Sequence, residues 1–276
     1  MIRAAILGVG VWGPGLTGWE RARPVLAGAA PWQKEAAPAP PIPSLLAPAE
    51  RRRAGASVRL ALTVAAEASA GAGIAPGGIA GVFATSNGDA AVVETLLDTL
   101  ASPTPLVSPT QFHNSVHNAA AGYWSIATGS RAPVTCLSGH DGSFAAGLLR
   151  AAAEVATGAA PVLLVAYDAP VPWPLVAVRP TRVGFAAALV LAPVAGSVPP
   201  LGEIAVGFAP GPADAAGSVP LAAPLRDLAA ANPAARSLPL LEALATGRVR
   251  DLSLALFAGR VEVSVHPCSA ANACAR

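Results

Sequence analysis

Charged residues are scarce in this sequence. They make up 12% of its 276 residues, while hydrophobic residues make up 53%. Both values depart from ordinary soluble proteins, toward either a large alanine-rich core or a large interface with a partner chain. The formal net charge is +2, with acidic and basic residues interspersed, which excludes the clustered positive charge typical of nucleic-acid binding. The basic cluster Arg51-Arg52-Arg53 fits a solvated helix face or contact with an acidic carrier protein.

Cysteine and long apolar runs are also lacking. Cys136, Cys268 and Cys274 form an odd set without metal-ligand spacing, which fits a reducing compartment, so we expect a cytoplasmic protein without a bound metal. Glycines break the apolar N-terminus and no cleavage site follows, so no signal peptide is expected. The longest apolar stretch, residues 183–198, contains proline and glycine, and we expect no membrane span.

Predicted strands and helices alternate along the chain, which indicates an α/β layered fold. A strand, a polar turn, a small-residue helix and a second strand are predicted over residues 134–168. Two apolar segments, 252–257 and 260–265, flank Ala258-Gly259 and predict a β-hairpin with that two-residue loop. Further strands are predicted at 2–7, 81–86, 185–191 and 201–208, and further helices at 19–26, 49–70, 89–100, 116–128, 221–231 and 238–245. Proline-rich loops are predicted at 30–48, 102–109, 170–180 and 210–220.

The first motif is Gly8-Val-Gly10-Val-Trp-Gly13, which has the spacing of a dinucleotide-binding loop. In that loop the glycines let pyrophosphate approach the N-terminus of a helix. Here Pro14 and Gly15 follow, so no helix begins at the required place. No second strand ending in an acidic residue follows about 20 residues later. We therefore expect no bound cofactor.

A second motif contains His113 and His117, four residues apart on a predicted helix. Such a pair could ligate zinc. The sequence between them lacks the glutamate of a metalloprotease motif, and no third ligand is evident. A polar helix entrance, with Asn114 or Ser115 capping backbone amides, explains the residues better.

A third motif is the turn at residues 138–143. Ser143 would lie in a hydrolase elbow only if glycines flanked it two residues away, but Asp141 and Ala145 occupy those places. Cys136 precedes the turn and is predicted to be buried on the strand, where a thiol is inert. An acyltransferase or hydrolase using Ser143 or Cys136 with His140 remains an alternative.

Several segments together resemble ketosynthases. They are the opening AILGVGVWGPGLTGWERARPVLAG, the string PTQFHNSVHNAAAGYWSIATGSRAP, Ser86-Asn-Gly88, the unit at 134–168 and VGFAAALV at 183–190. Over residues 2–191 the chain is similar to the β-ketoacyl synthase-like N-terminal domain family, which includes chain length factors of aryl polyene and type II fatty-acid or polyketide pathways. The resemblance implies a thiolase-like layered α/β fold, with helices packed on a mixed sheet.

The resemblance also implies what is missing. Counting back from Gly158 places Asp141 in the slot of the nucleophilic cysteine, with His140 and Ser143 beside it, and a carboxylate cannot carry a stable thioester. Family members supply two catalytic histidines from their second half, whereas here His266, in Val-His-Pro, is the only histidine after His140. Residues 1–192 therefore resemble a near-complete first half, and residues 193–276 a reduced remnant packed on the same core. No autonomous activity is expected.

In the family, the segment after the proline loop lies at a dimer interface and lines the partner's acyl tunnel. The matching residues here are Phe112, His113, Ser115, Val116, His117, Tyr123 and Trp124. The implied partner is an active β-ketoacyl synthase or a second copy of the chain, with acyl carrier protein reached through the complex. A homodimeric module that binds acyl chains remains a further alternative.

Overall fold

The computed structural model describes residues 1–34, 43–196, 198–211 and 217–268. Cys274 and parts of the predicted loops at 30–48 and 210–220 lie outside the described residues. Within the described ranges, one mixed sheet contains nine strands. They are β1 Ile2–Gly13, β2 Leu16–Thr17, β3 Ala80–Ala84, β4 Val134–Leu137, β5 Val162–Asp168, β6 Phe185–Ala192, β7 Gly202–Pro210, β8 Arg250–Leu256 and β9 Gly259–Pro267.

The order across the sheet is β4-β3-β5-β6-β1-β7-β9-β8, with β2 paired to β1. Strand β3 is parallel to both β4 and β5, while β1, β6, β7, β8 and β9 pair antiparallel. Because β1 pairs with both β6 and β7, the strands after residue 193 continue the sheet of the first part. The mixed sheet confirms the predicted fold class.

Helices cover both faces of the sheet. They are α1 Trp19–Leu26, α2 Pro48–Arg53, α3 Ala56–Gly71, α4 Ala90–Ala101, α5 Pro109–Asn114, α6 Ala119–Thr128, α7 Ser143–Gly158, α8 Ala223–Ala231 and α9 Leu238–Thr246. One apolar cluster joins the sheet to α3 and α6. A second cluster joins the opposite face to α1, α7, α8 and α9. No helix in the described ranges has the length and apolar character needed to cross a membrane.

The three-glycine motif lies inside strand β1. The predicted strand at 2–7 was too short, because β1 runs on to Gly13. A Cβ at Gly8 or Gly10 would overlap the backbone carbonyl oxygens of Ala68 and Val64 in α3. The glycines therefore allow a helix to pack closely on the strand, and they do not form a loop before a helix.

Two predicted helices differ from those in the structure. The helix expected at 49–70 ends at Arg53 and starts again at Ala56. The helix expected at 116–128 is wrong in its first turn, because α5 ends at Asn114 and α6 starts at Ala119. The Asn114 side-chain amide donates to the Arg53 carbonyl at 2.8 Å. This hydrogen bond joins the end of α5 to the end of α2. Asn114 is thus a tertiary contact rather than the expected helix cap.

The C-terminal hairpin is confirmed with a small shift. Strands β8 and β9 pair antiparallel, with Leu256 opposite Gly259. The connecting residues are Phe257 and Ala258, one residue earlier than predicted. Gly259 has a positive φ, and a Cβ there would overlap the Ala209 carbonyl of the neighbouring strand, so this glycine is needed where the hairpin packs on β7.

Candidate functional site

The turn between β4 and α7 has the predicted form. The Gly142 amide donates to the Gly139 carbonyl at 2.9 Å, which closes the turn. His140 has a φ of 52°, a left-handed conformation that a non-glycine residue adopts rarely. The Ser143 hydroxyl donates to the His140 carbonyl at 2.6 Å and accepts from the Gly139 amide at 3.0 Å. The serine therefore stabilises the backbone of the turn.

Asp141 holds two arginines at the start of α7. Its Oδ1 accepts from Nη2 of Arg179 at 2.9 Å, and its Oδ2 accepts from Nη2 of Arg236 at 2.9 Å. Arg179 lies in the loop after β5, and Arg236 lies in the 3₁₀ turn Pro233–Ser237 before α9. Three separate elements therefore meet at one carboxylate.

Arg179 also reaches the loop that follows β3. It donates to the Ser86 hydroxyl at 2.6 Å and to the Asn87 side-chain oxygen at 3.0 Å. Its Nη1 also contacts Nε2 of His140. The Ser86-Asn-Gly88 segment is thereby joined to the turn at Asp141, as the carboxyl ends of neighbouring parallel strands allow.

Asp168 ends β5 and is fully buried. Its Oδ1 accepts from the Thr85 hydroxyl at 2.9 Å and from the amides of Ser86 and Asn87 at 2.8 and 3.1 Å. Its Oδ2 has no hydrogen-bond partner in the described part of the chain. Burial outweighs these hydrogen bonds and raises the pKa of Asp168 to about 6.

Asn232 joins this cluster to the C-terminal part. Its side-chain amide donates to the backbone carbonyls of Asp168 at 2.9 Å and Val183 at 2.8 Å. Its side-chain oxygen accepts from the Ala234 amide, which starts the 3₁₀ turn that carries Arg236. Sequence reasoning missed Arg179, Arg236, Asp168 and Asn232. The one available signal was Asp168, an acidic residue that closes the apolar strand VLLVAYD.

A cavity of about 320 Å³ opens beside Asp141. Its walls come from the first turn of α7, from α8 and β8, and from the segment that precedes α8. Gly142, Phe144, Ser218, Arg226, Arg236 and Leu254 are among the lining residues. Residues of the first part of the chain and of the C-terminal part therefore line this space beside Asp141 together.

The alternative nucleophiles are poorly placed for covalent catalysis. Ser143 is 2% exposed and its hydroxyl is used by the turn. The His140 ring lies against Arg179 and Asp141, and the described residues show no hydrogen bond between the Ser143 and His140 side chains. Cys136 lies on β4 as predicted, partly buried, and burial raises the pKa of its thiol, which disfavours the reactive thiolate.

The two histidines considered as zinc ligands are separated. His113 belongs to α5, whereas His117 lies in the turn before α6, so the two do not share a helix face. His113 instead packs edge-on against Tyr123. No group of three histidine, cysteine or acidic residues able to hold a metal occurs among the residues that the structure describes.

The predicted interface segment divides into an exposed and a buried part. Phe112 and Val116 are 66% and 46% exposed, and His113 and His117 are also exposed, with Ser115 partly so. Tyr123 and Trp124 are 2% and 0% exposed. The expectation is corrected for these two residues, since their side chains pack against α3 and the sheet and offer no surface to a partner.

Helix α4 directs apolar side chains outward. We name the exposed apolar residues of α4, α5 and their connections the α4–α5 face. It consists of Val93, Leu97, Leu100, Leu106, Phe112 and Val116. The two helices contact each other, and Val93, Leu97 and Leu100 recur at helical spacing along one side of α4. Clustered exposed apolar residues mark interaction surfaces.

The architecture defines a class: a mixed sheet between two helical layers, with a strand–turn–helix unit at its parallel edge, is the thiolase-like layered fold. Residues 26–204 match the family model described as "Beta-ketoacyl synthase, N-terminal domain". Because the match spans more than half of the chain, the protein belongs to this family. No curated protein matches the chain in sequence.

Solved structures share the fold over nearly the whole chain. One is a ketosynthase (ApeO) in complex with its chain length factor (ApeC) from Xenorhabdus doucetiae, at 20% identity and a TM-score of 0.71, covering 96% of this chain and 100% of that one. Another is the ishigamide ketosynthase/chain length factor, at 17% identity and a TM-score of 0.73, covering 96% of this chain and 99% of that one. A third is AntDE:AntF, an acyl-carrier protein in complex with its ketosynthase, at 13% identity and a TM-score of 0.71, covering 97% of this chain and 99% of that one.

Proposed function

We propose that this chain is a non-catalytic ketosynthase-like subunit of the chain length factor type. It pairs with an active β-ketoacyl synthase and shapes the acyl tunnel of that partner in fatty-acid, polyketide or aryl polyene biosynthesis. The observation that carries the proposal is that Asp141, the residue we assign to the nucleophile slot, has both carboxylate oxygens engaged by arginines.

Decarboxylative condensation requires a thiolate nucleophile and donors that stabilise the developing negative charge. A carboxylate at the slot cannot form a thioester. The guanidinium groups around it are used for ion pairs with Asp141, so they are not available to a bound thioester. The chain thus keeps the scaffold of the reaction without its reacting groups.

The surface supports pairing with another chain. The α4–α5 face offers exposed apolar side chains that a partner would cover. Strand β4 forms one end of the sheet and pairs with β3 alone among the described strands. An open edge is a template for pairing with another chain. The opposite edge, β8, is covered by Ser218, whose amide donates to Ser253 at 2.6 Å.

The structural neighbours support this pairing. They come from complexes of a ketosynthase with a chain length factor and of a ketosynthase with an acyl-carrier protein. By analogy, the acyl carrier protein reaches this subunit through the complex. In this proposal residues 193–276 are the reduced second half, whose role is to extend the sheet and supply Arg236 to the slot.

Co-expression with a candidate β-ketoacyl synthase from the same genome, followed by size exclusion, tests the pairing. We expect the two chains to elute together as a stable complex. Leu97→Asp places a charge in the α4–α5 face, and Val249→Asp is the matched control, since Val249 is 64% exposed and lies outside that face. A monomer indifferent to the ketosynthase would contradict the proposal, and a stable dimer of the chain alone would support the homodimeric binding module instead.

A further inference from the structure

The contacts of Asp141 join parts of the chain that are distant in sequence. Asp141 and Arg179 are 38 residues apart, and Asp141 and Arg236 are 95 residues apart. We name these three residues the Asp141 latch. One partner comes from the loop after β5 and the other from the 3₁₀ turn before α9, so the latch fastens both segments to the first turn of α7.

The charge of Asp141 suits this place electrostatically. The carboxylate lies just before Gly142, the N-cap of the 16-residue helix α7, which has no side-chain cap of its own. A negative charge near a helix N-terminus is stabilised by the helix dipole. The Asp141 side chain is 38% exposed and those of Arg179 and Arg236 are 25% and 40% exposed, so salt screens the pairs only in part.

The latch also covers the slot. Arg179 extends from Asp141 to Ser86 and Asn87, so its side chain crosses the carboxyl ends of β3 and β4. Arg236 lines the cavity on the other side of Asp141. An acyl ligand approaching the first turn of α7 would have to displace one of the two arginines.

We propose that the Asp141 latch keeps the loop after β5 and the 3₁₀ turn before α9 docked over the N-terminus of α7, and thereby closes this subunit's own slot. The inference stands on contacts within this chain and does not depend on pairing with a ketosynthase. The residue in the nucleophile position has a conformational role here, beyond the loss of catalysis.

Hydrogen–deuterium exchange on the isolated chain tests the latch. Asp141→Asn keeps the shape and removes the charge, and Arg236→Gln removes one partner. In Asp141→Asn we expect amides in segments 138–146, 172–183 and 232–238 to exchange about three- to tenfold faster, as the loss of two partly exposed ion pairs implies. In Arg236→Gln, which keeps the pair between Asp141 and Arg179, we expect faster exchange of about threefold in segments 138–146 and 232–238. Amides of β1 and β6 should be unchanged.

Asp227→Asn is the matched control, because Asp227 is an exposed carboxylate on α8 without a hydrogen bond among the described residues. It should leave all three segments unchanged. Raising NaCl from about 0.05 M to about 1 M should accelerate amide exchange in the same three segments of the unmodified chain, because salt screens the ion pairs. This measurement tests the latch even where a variant does not fold. Exchange within twofold of the unmodified chain in both folded variants, no response to salt, or equal acceleration by Asp227→Asn would each overturn the latch.

Discussion

The nucleophile slot and the α4–α5 face use their side chains in opposite ways. In the slot, polar groups from four segments satisfy one another, and Asp141 directs both oxygens to arginines of the same chain. On the face, Leu97, Leu100 and Phe112 are more than half exposed and make no comparable contacts. The Asp141 carboxylate is paired within the chain, whereas the apolar side chains of the face are exposed.

This difference indicates where the function lies. A group that reacts with substrate needs an unpaired atom, whereas both carboxylate oxygens of Asp141 are paired with arginines. An interaction surface needs apolar area that becomes buried on binding, and the face offers it. This contrast is the one that the proposed pairing role requires.

The segment that follows Pro109 shows the same contrast within a few residues. Trp124 is fully buried and Phe112 is 66% exposed. Trp124→Ala should lower the free energy of unfolding by about 3 to 5 kcal/mol, because it leaves a cavity in the core. Phe112→Ala should change it by no more than about 0.5 kcal/mol. Urea unfolding measures both, and equal losses would remove the distinction between core and surface in this segment.

The polar cluster next to the slot contains a buried carboxyl group, that of Asp168. Since the pKa of Asp168 is raised from 3.8 to about 6 by burial, the folded chain holds a proton between pH 4 and 6 that the unfolded chain has lost. The contribution of Asp168 to stability is therefore present below pH 4 and falls by roughly 3 kcal/mol as the pH rises through 6.

Asp168→Asn removes this titration. Between pH 4 and 7, the unfolding free energy of the unmodified chain should fall by roughly 3 kcal/mol relative to that of the variant. Urea unfolding at the two pH values measures the shift. A difference that stays constant with pH would show that Asp168 keeps an ordinary pKa in the folded chain.

A charge introduced into the α4–α5 face should weaken binding to the partner and leave the stability of the isolated chain nearly unchanged. Leu97→Asp should weaken binding to the ketosynthase by at least about tenfold, because a carboxylate would be buried without a partner. The stability of the isolated chain should change little, since Leu97 is 53% exposed. Binding measured by interferometry, with Val249→Asp beside it, separates the two effects. Equal binding of both variants would place the interface elsewhere.

The smallest expected effect concerns the product. Val116→Trp fills space at the end of the face and should shorten the acyl chains that the complex releases, with complex formation retained. Mass spectrometry of the products measures the chain length, and Val249→Trp serves as the control. An unchanged product profile with Val116→Trp would count against a role in shaping the tunnel.

Local patterns predicted much of the fold and little of the slot. The strand, turn and helix around Asp141 follow from apolar periodicity and glycine positions, and β4, α7 and β5 lie where expected. Arg179 and Arg236 were missed because their contacts to Asp141 span 38 and 95 residues, and no local spacing encodes them. The sequence predicts a helix at 89–100, yet only the packing shows that Leu97 and Leu100 of α4 are exposed.

The most direct test of the central claim is intact-protein mass spectrometry of the co-expressed complex after incubation with an acyl thioester. The ketosynthase should gain one acyl group, while this chain, with Asp141 in the slot, keeps its mass. An acyl adduct on this chain would contradict the account, because it would mean that the subunit carries a nucleophile of its own.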